Sequence, residues 1–303
     1  MKILITGGTG FIGQALVKRW LERDYQLTVL TRNPEQWVSH WHNKVTCISQ
    51  FDQLGQDDEF DGVVNLAGEP IVDKRWTEQR KQQLRASRIE LTEKLIQFLQ
   101  QLDKPPKALM NASAVGFYGY RPADKKIDES EHAADDFAAK LCHDWELTAK
   151  KAESLGMRVC LMRFGVVLGR GGALQKMLLP FRLGLGGRIS TGEQVMSWVH
   201  LADLLNAIDF LVANDKLAGP FNITSPNPVT NLKFAKTLAA QLNRPAIFPV
   251  PAFILRLMLG EGADLLVKGQ QVLPERLLEA GFEFQFGELQ SALADILARP
   301  LPS

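Results

Sequence analysis

The chain has 303 residues, of which 46% are hydrophobic and 23% are charged, so it can bury a large core and is not a disordered protein. Thirty-five Lys and Arg residues against 34 Asp and Glu residues leave a formal charge of +1. This balance provides no broad basic surface for nucleic acid or for an anionic membrane. We therefore expect a small-molecule partner, with no nucleic acid and no membrane.

Three cysteines without short mutual spacing predict neither a disulfide framework nor a zinc ribbon, and no metal site is expected. Neither a basic leader nor a cleavage site precedes the first glycine-rich turn. No apolar stretch reaches the roughly 20 residues that a membrane-spanning helix needs. A reducing, cytoplasmic location fits these features best.

Short apolar runs alternate with helix-length segments over the first 225 residues. The first run, Lys2 to Thr6, leads through a glycine-rich turn into apolar residues at helical spacing. Long helices are predicted at Thr77 to Leu102 and at Asp135 to Leu155. Further strands are predicted at Leu27 to Thr31, Val45 to Phe51, Gly62 to Ala67, Ala108 to Ala112, Val159 to Leu168 and Pro220 to Thr224. This alternation predicts an α/β fold, a doubly wound parallel sheet of the Rossmann type with helices on both faces.

The pattern changes after Leu168. Two glycine-rich stretches, Gly169 to Gly172 and Gly184 to Gly187, separate short elements that no longer alternate regularly. From Thr230 onward the pattern is mainly helical and ends in an amphipathic run, Leu289 to Leu297. We predict a nucleotide-binding domain made of residues 1–168 and 201–225, and a smaller C-terminal substrate lobe made of residues 169–200 and 226–303.

The turn between the first strand and the first helix fits both G-x-G-x-x-G and G-x-x-G-x-x-G. A turn this tight needs residues without a Cβ, and the helix that follows offers free N–H groups and the positive end of its dipole to a pyrophosphate. The alternative is a glycine-rich turn without a ligand. The predicted dinucleotide-binding residues here are Gly7, Gly10, Phe11, Ile12 and Gly13.

The second strand ends at Thr31 and Arg32, without the acidic residue that holds the ribose hydroxyls in NAD-binding versions of the motif. A hydroxyl and a guanidinium suit a ribose 2′-phosphate instead, which favours NADP (NADPH) over NAD. The alternative is that Arg32 is a surface arginine at the end of a strand. Leu66, Ala67 and Gly68 follow the Gly62 strand, and their small side chains let a flat cofactor ring lie against the backbone.

Three segments together resemble the extended short-chain dehydrogenase/reductases of the NAD-dependent epimerase/dehydratase superfamily: Thr6 to Gly13, Asn65 to Gly68, and Asn111 to Ser113 before Tyr118-Gly119. Trp198 to Asp203 and Phe221 to Ile223 are similar to later landmarks of that family. The features that are similar to an atypical subgroup, the YfcH-like epimerase family, are Gly68 to Ile71, Lys74 to Trp76, Leu141-Cys142 with Trp145-Glu146, and Pro180 to Gly187.

The resemblance implies a reaction in which NAD(P) exchanges a hydride, with a Tyr as acid/base, a Lys four residues later and a Ser that orients the substrate. This chain departs from that pattern, because none of its three tyrosines has a Lys four residues later. Tyr25, Tyr118 and Tyr120 are followed at that spacing by Val29, Pro122 and Asp124. The two expected dyad positions fall near Ala138 and Cys142. Arg88 stands where the family usually has an Asn.

Three residues are candidates for catalysis. Ser113 matches the family's serine, and its hydroxyl either takes part in catalysis or only binds substrate or cofactor. Tyr118 lies after the fifth strand, at the edge where ligands bind, and is either a proton carrier or a packed turn aromatic. Glu69 lies beside the expected cofactor ring and is either a base, if burial makes it a stronger one, or an ordinary loop carboxylate.

Two functions are consistent with these residues. The first is an NADP-dependent oxidoreductase or epimerase with an unusual acid/base, acting on a small carbonyl or hydroxyl compound that is free, nucleotide-linked or phosphorylated. The second is a non-catalytic NADP-binding protein that senses redox state or docks a partner. The resemblance also implies a homodimer that forms through the two long helices.

Overall fold

A computed structural model of the chain describes residues 1–298, so the last five residues of the predicted substrate lobe, 299–303, lie outside the described residues. In chain order the strands are β1 Lys2–Thr6, β2 Gln26–Leu30, β3 Val45–Ile48, β4 Gly62–Asn65, β5 Ala108–Ala114, β6 Lys126–Ile127, β7 Arg158–Phe164, β8 Val166–Leu168, β9 Val195–Met196, β10 Trp198–His200, β11 Gly219–Ile223, β12 Val229–Thr230 and β13 Gln271–Val272.

The helices, also in chain order, are α1 Phe11–Leu21, α2 Pro34–His40, α3 Glu78–Arg85, α4 Leu91–Leu99, α5 Phe137–Lys150, α6 Gly172–Arg182, α7 Leu201–Ala213, α8 Asn231–Gln241, α9 Ala252–Leu259, α10 Asp264–Val267, α11 Glu275–Glu279 and α12 Leu289–Ala298. Seven strands form a central sheet in the order β11-β7-β5-β4-β1-β2-β3. Every neighbouring pair in it is parallel. The predicted doubly wound α/β fold is confirmed.

Alternate residues of the strands supply two separate cores, one on each face of the sheet. On β1, Ile3 and Ile5 pack into the core that contains α1 and α7, whereas Leu4 packs into the core that contains α4. Because both faces are covered, the ligand-binding groups of the sheet are left at its edge, where the strands end.

The predicted helix from Thr77 to Leu102 forms as two helices, α3 and α4, joined by a π-helical turn at Ala86–Glu90. A π turn inserts one extra residue into a helix and is found often at functional sites. Thr92 donates a hydrogen bond of 2.6 Å from its hydroxyl to the carbonyl of Arg88. The turn therefore changes which side chains of this helix face the edge of the sheet.

A further apolar cluster lies outside the two sheet cores. It is formed by α6, α8 and α12 together with Trp198 of β10. These elements include much of the predicted substrate lobe, and the amphipathic run Leu289 to Leu297 forms α12. Within residues 1–298, no helix is long and apolar enough to cross a membrane, and no group of three His, Cys, Asp or Glu side chains is arranged to hold a metal ion.

A buried ion pair fixes α5 against the sheet. Arg163 of β7 donates two hydrogen bonds to the carboxylate of Glu146 on α5, from Nε at 2.8 Å and from Nη2 at 2.7 Å. Each side chain is only 5% exposed. Since neither charge reaches water, each depends on the other for compensation.

We expect Glu146→Gln to lower the free energy of unfolding by about 3 to 5 kcal/mol, because it leaves a guanidinium buried without its countercharge. Urea denaturation at neutral pH measures the change. Glu93→Gln is the matched control, since Glu93 of α4 pairs with Lys151 at 3.5 Å on the surface and its loss should cost less than about 1 kcal/mol. Equal denaturation midpoints for the two variants would contradict this account.

Candidate cofactor and active site

The glycine turn after β1 touches the end of β4 directly. Gly7 has a φ of +70°, and a Cβ placed on it would lie 2.6 Å from the backbone carbonyl of Leu66. A Cβ on Gly13 would lie only 2.2 Å from the carbonyl oxygen of Gly7. Side chains are therefore excluded at both positions by backbone, which cannot move aside as a flexible side chain can.

The N-terminus of α1 opens at this turn. Its N-cap is Gly10, in an extended conformation, and no side chain caps the helix. A Cβ on Gly10 would meet only one atom within 4 Å, the carbonyl oxygen of Gly7 at 3.3 Å. An open cradle beside uncapped N–H groups suits a pyrophosphate, so the residues present fit a dinucleotide.

Phe11, the first residue of α1, is packed under the loop between β8 and α6. A Cβ on Gly169, Gly171 or Gly172 would come within 2.6 to 3.0 Å of the Phe11 ring. In the sequence these glycines mark breaks between elements, and Gly169 is also similar to a landmark of the family. Their close spacing is the signal that the chain approaches another part of the molecule there.

At the end of β2, Thr31 is buried, and its hydroxyl is 3.4 Å from the backbone N–H of Asn33. The side chain of Arg32 is 92% exposed, and its Nη1 lies 3.5 Å from Oε1 of Glu69. The sheet therefore places Arg32 at its carboxyl edge with the guanidinium in solvent. Among the candidates at this strand end, Arg32 is the accessible one.

Glu69 lies between two arginines. Besides Arg32, it is paired with Arg80, whose Nη1 is 3.5 Å from Oε2, and 35% of the Glu69 side chain is exposed. The role of base considered for Glu69 depended on burial. Glu69 is only partly buried and is paired with two arginines. This environment favours the alternative, an ordinary loop carboxylate.

A buried polar network holds the strand ends that carry Leu66 to Gly68. Asn65 of β4 accepts a hydrogen bond from the hydroxyl of Thr6 and donates to Thr92 at 2.8 Å and to Asn111 of β5 at 2.6 Å. Trp145 of α5 donates to the same Thr92 hydroxyl at 2.9 Å. The edges of β1, β4 and β5 are thereby fixed relative to both long helices.

Ser113 lies near the carboxyl end of β5 and is 3% exposed. Its hydroxyl donates a hydrogen bond of 2.7 Å to Oε1 of Glu146. Since its proton is directed at that carboxylate, Ser113 has only lone pairs to offer to another group. It can accept a hydrogen bond from a ligand hydroxyl, but while the bond to Glu146 persists it cannot donate one.

Tyr118 is held by protein groups on both sides of its hydroxyl. This side chain is fully buried, and its hydroxyl donates to Asn222 at 2.7 Å and accepts from Arg163 at 2.8 Å. Burial raises the pKa of Tyr118 to about 12. Both hydrogen bonds of the Tyr118 hydroxyl are made to protein groups, which favours the packed turn aromatic that the sequence offered as the alternative.

The face of α5 that should carry the Tyr and Lys dyad is small and apolar. Ala138 and Cys142 are both buried, and burial raises the pKa of the Cys142 thiol to about 11. Ala138 and Leu141 lie in one cluster with Trp76, whose ring is in turn covered by the backbone at Gly262. The position of the expected tyrosine is therefore closed by packing.

Arg88 lies beside this face, on the π turn. Its Nη2 donates to the carbonyl of Glu69 at 2.9 Å, and a Cβ on Gly68 would lie 3.0 Å from its Cζ. Its guanidinium carbon is 5.5 Å from the ring of Trp145. Burial lowers the pKa of Arg88. The sequence identified Arg88 only as a departure from the family pattern and did not place it in the site.

Comparisons with known proteins agree with this architecture. Residues 3–224 match the profile of the NAD dependent epimerase/dehydratase family, and residues 250–296 match a domain of unknown function, DUF1731. The chain is 38% identical over 299 residues to the epimerase family protein YfhF of Bacillus subtilis, with 98% of each chain covered. It is 37% identical over 311 residues to the epimerase family protein SAR0825 of Staphylococcus aureus, with 98% of this chain and 99% of that protein covered.

Solved structures give the same result. The crystal structure of the human epimerase family protein SDR39U1 with NADPH matches with a TM-score of 0.90 and 35% identity, over 99% of this chain and 100% of that one. UDP-glucuronic acid 4-epimerase from Bacillus cereus, with 98% of each chain covered, matches with a TM-score of 0.79 at 14% identity, a likeness of fold alone. The resemblance seen in the sequence is confirmed, and the chain belongs to the NAD dependent epimerase/dehydratase family.

Proposed function

We propose that this protein is an NADP(H)-dependent oxidoreductase that acts on a small carbonyl or hydroxyl compound in the cytoplasm. The observation that carries the proposal is the cradle at Gly7, Gly10 and Gly13, where backbone crowding excludes side chains and an uncapped helix begins. A dinucleotide is the ligand that this combination fits. The NADPH in the human relative's structure supports the same cofactor.

The proposed cofactor contacts follow the edge of the sheet. The N–H groups of Phe11 and Ile12 would hold the pyrophosphate, and Leu66, Ala67 and Gly68 would line the cofactor ring. Arg32 would bind the 2′-phosphate, because its exposed guanidinium is held only by an ion pair of 3.5 Å with Glu69. A phosphate with up to two charges would compete well against that weak surface pair.

NADPH supplies a hydride when it is bound. The chain would orient the substrate through Ser113, which can accept a hydrogen bond from a substrate hydroxyl. Ala138 and Cys142 provide no proton donor comparable to the family's Tyr and Lys, since an alanine has no acid group and the pKa of the Cys142 thiol is about 11. We therefore favour a single hydride transfer to a carbonyl carbon, with the proton for the carbonyl oxygen supplied by solvent water, over nucleotide-sugar epimerisation, which needs the acid/base group twice.

A second candidate function is a non-catalytic NADP(H) sensor or docking protein. The observation that favours it is the closure of the Ala138 face by Trp76 and Leu141. A site without room for an acid/base group can still bind and report a cofactor. Pairing of two copies through the long helices stays a prediction.

The glycine cradle can be tested with two matched substitutions. Gly10→Ala should leave stability nearly unchanged, because φ of −78° suits alanine and the new Cβ meets one atom at 3.3 Å. It should weaken NADPH binding at least tenfold, about 1.4 kcal/mol, by filling the cradle. Gly13→Ala should lower stability as well, since its Cβ would overlap Gly7. Calorimetric titration and thermal unfolding separate the two effects; normal NADPH binding by Gly10→Ala would place the cofactor elsewhere.

The reaction class can be tested by incubating the protein with NADPH and a panel of small aldehydes, ketones and keto acids, with UDP-glucose as the epimerase substrate. We expect NADPH to be consumed slowly with at least one small carbonyl compound, and UDP-glucose to remain unchanged. The slow rate follows from the missing general acid, which usually increases the rate of a reaction about 10²- to 10⁴-fold. Rapid epimerisation of UDP-glucose would contradict the proposal, and NADPH binding without turnover of any compound would favour the sensor.

A further inference from the structure

Arg88 lies in the π turn at Ala86–Glu90, and its side chain reaches the residues that follow β4. Contacts connect it to the cofactor cradle step by step. Gly7 touches the backbone of Leu66 and Ala67, and the next residue, Gly68, lies against the Arg88 guanidinium. Arg88 therefore contacts Gly68, the residue that follows Ala67, and Ala67 touches the glycine turn directly.

The hydrogen bonds of Arg88 use only part of the guanidinium. Nη1 donates to the carbonyl of Leu84 and to the hydroxyl of Ser87, both at 3.3 Å, and Nη2 donates to the carbonyl of Glu69. A guanidinium carries five N–H groups. Among the described residues, the Nε–H of Arg88 and one Nη2–H donate to no protein acceptor. Arg88 Nε is not one of the fully buried nitrogens without a partner, so it is open to solvent or to a ligand.

The charge of Arg88 also lacks a close countercharge. Neighbouring arginines differ in this respect: Arg80 is paired with Glu69, Arg85 with Asp144 and Arg163 with Glu146. Across residues 1–298, no carboxylate lies within 4 Å of Arg88, and Glu69 acts on it only at longer range. The nearby Cys142 thiol is neutral, since its pKa is about 11.

A guanidinium that is partly removed from water without a paired anion is costly, and a charged group in such a setting is a candidate for a ligand-binding site. Trp145 lies over Arg88 at 5.5 Å, and the carbonyls hold the guanidinium in place. Holding a donor in advance lowers the entropy cost of binding an anion. Bidentate recognition of carboxylate and phosphate is the interaction that a fixed guanidinium performs best.

We propose that Arg88 binds an oxyanion of the substrate, so that the substrate is an acid or a phosphate ester carrying its carbonyl or hydroxyl group close to that anion. The inference rests on the proposed function, because it places this anion beside the cofactor edge. Arg88 would provide a positive charge for substrate binding at the position where the family usually has a neutral Asn. Substrate selection would then depend on charge at this position.

The test is titration of the protein, with and without saturating NADP⁺, with glycolate, inorganic phosphate and the neutral analogue glycolamide, followed by ligand-observed NMR. We expect the wild type to bind glycolate or phosphate and to bind glycolamide at least tenfold more weakly. Tighter binding of glycolate indicates a carboxylate substrate and tighter binding of phosphate a phosphate ester, and either result supports the oxyanion site.

Arg88→Gln should weaken anion binding at least tenfold, whereas Arg88→Lys, which keeps the charge, should weaken it less. Arg85→Gln is the matched control, since Arg85 lies three residues earlier and is paired with Asp144 on the surface; it should bind the anions as the wild type does. NADPH affinity is measured for every variant, because Arg88 also holds the carbonyl of Glu69.

Three results would overturn the proposal: no anion binding by the wild type, wild-type anion binding by Arg88→Gln, or a parallel loss of NADPH and anion binding in Arg88→Gln. The last would show that Arg88 acts only by positioning the Gly68 loop. Failure of the wild type to bind NADPH would count against the proposed function, whereas the titrations without cofactor still decide whether the anion site exists.

Discussion

Backbone crowding at the turn between β1 and α1 is the constraint on which the site depends. The carbonyl of Gly7 lies where a side chain of Gly13 would have to be, and Gly7 itself lies against the backbone of Leu66. Because these segments touch without side chains between them, α1 starts at the edge of the sheet with its N–H groups exposed to a ligand. The position of Leu66 to Gly68, and hence of Arg88, follows from the same contact.

Around this rigid turn, the polar groups divide into those that hold the fold and those that remain accessible. Glu146 and Arg163 compensate each other inside the protein, and Ser113 and Tyr118 are bound to them. Arg32 lies in solvent, and Arg88 retains donors that no described residue accepts. Near Ala138, where the resemblance places the family's tyrosine, the side chains are packed and apolar.

The sequence predicted the central sheet and the glycine turn well, since strand alternation and glycine spacing are local signals. It predicted one strand from Val159 to Leu168, whereas the structure has two strands interrupted at Gly165: β7 pairs with β5 and β11, and β8 pairs with β10. The π turn was not predicted, because its one-residue shift leaves helical periodicity nearly intact. The burial of Tyr118 and the missing countercharge of Arg88 depend on residues far away in sequence, which periodicity cannot bring together.

We propose that this edge of the sheet binds NADP(H) with the 2′-phosphate on Arg32. The most direct measurement is the dissociation constant of NADPH and of NADH by calorimetry, for the wild type and for Arg32→Ala. One charge-assisted contact contributes about 1.5 to 3 kcal/mol, so NADPH should bind more than tenfold more tightly than NADH to the wild type. Arg32→Ala should remove most of that difference and leave NADH binding unchanged. Equal affinities of the wild type for the two cofactors would contradict the account.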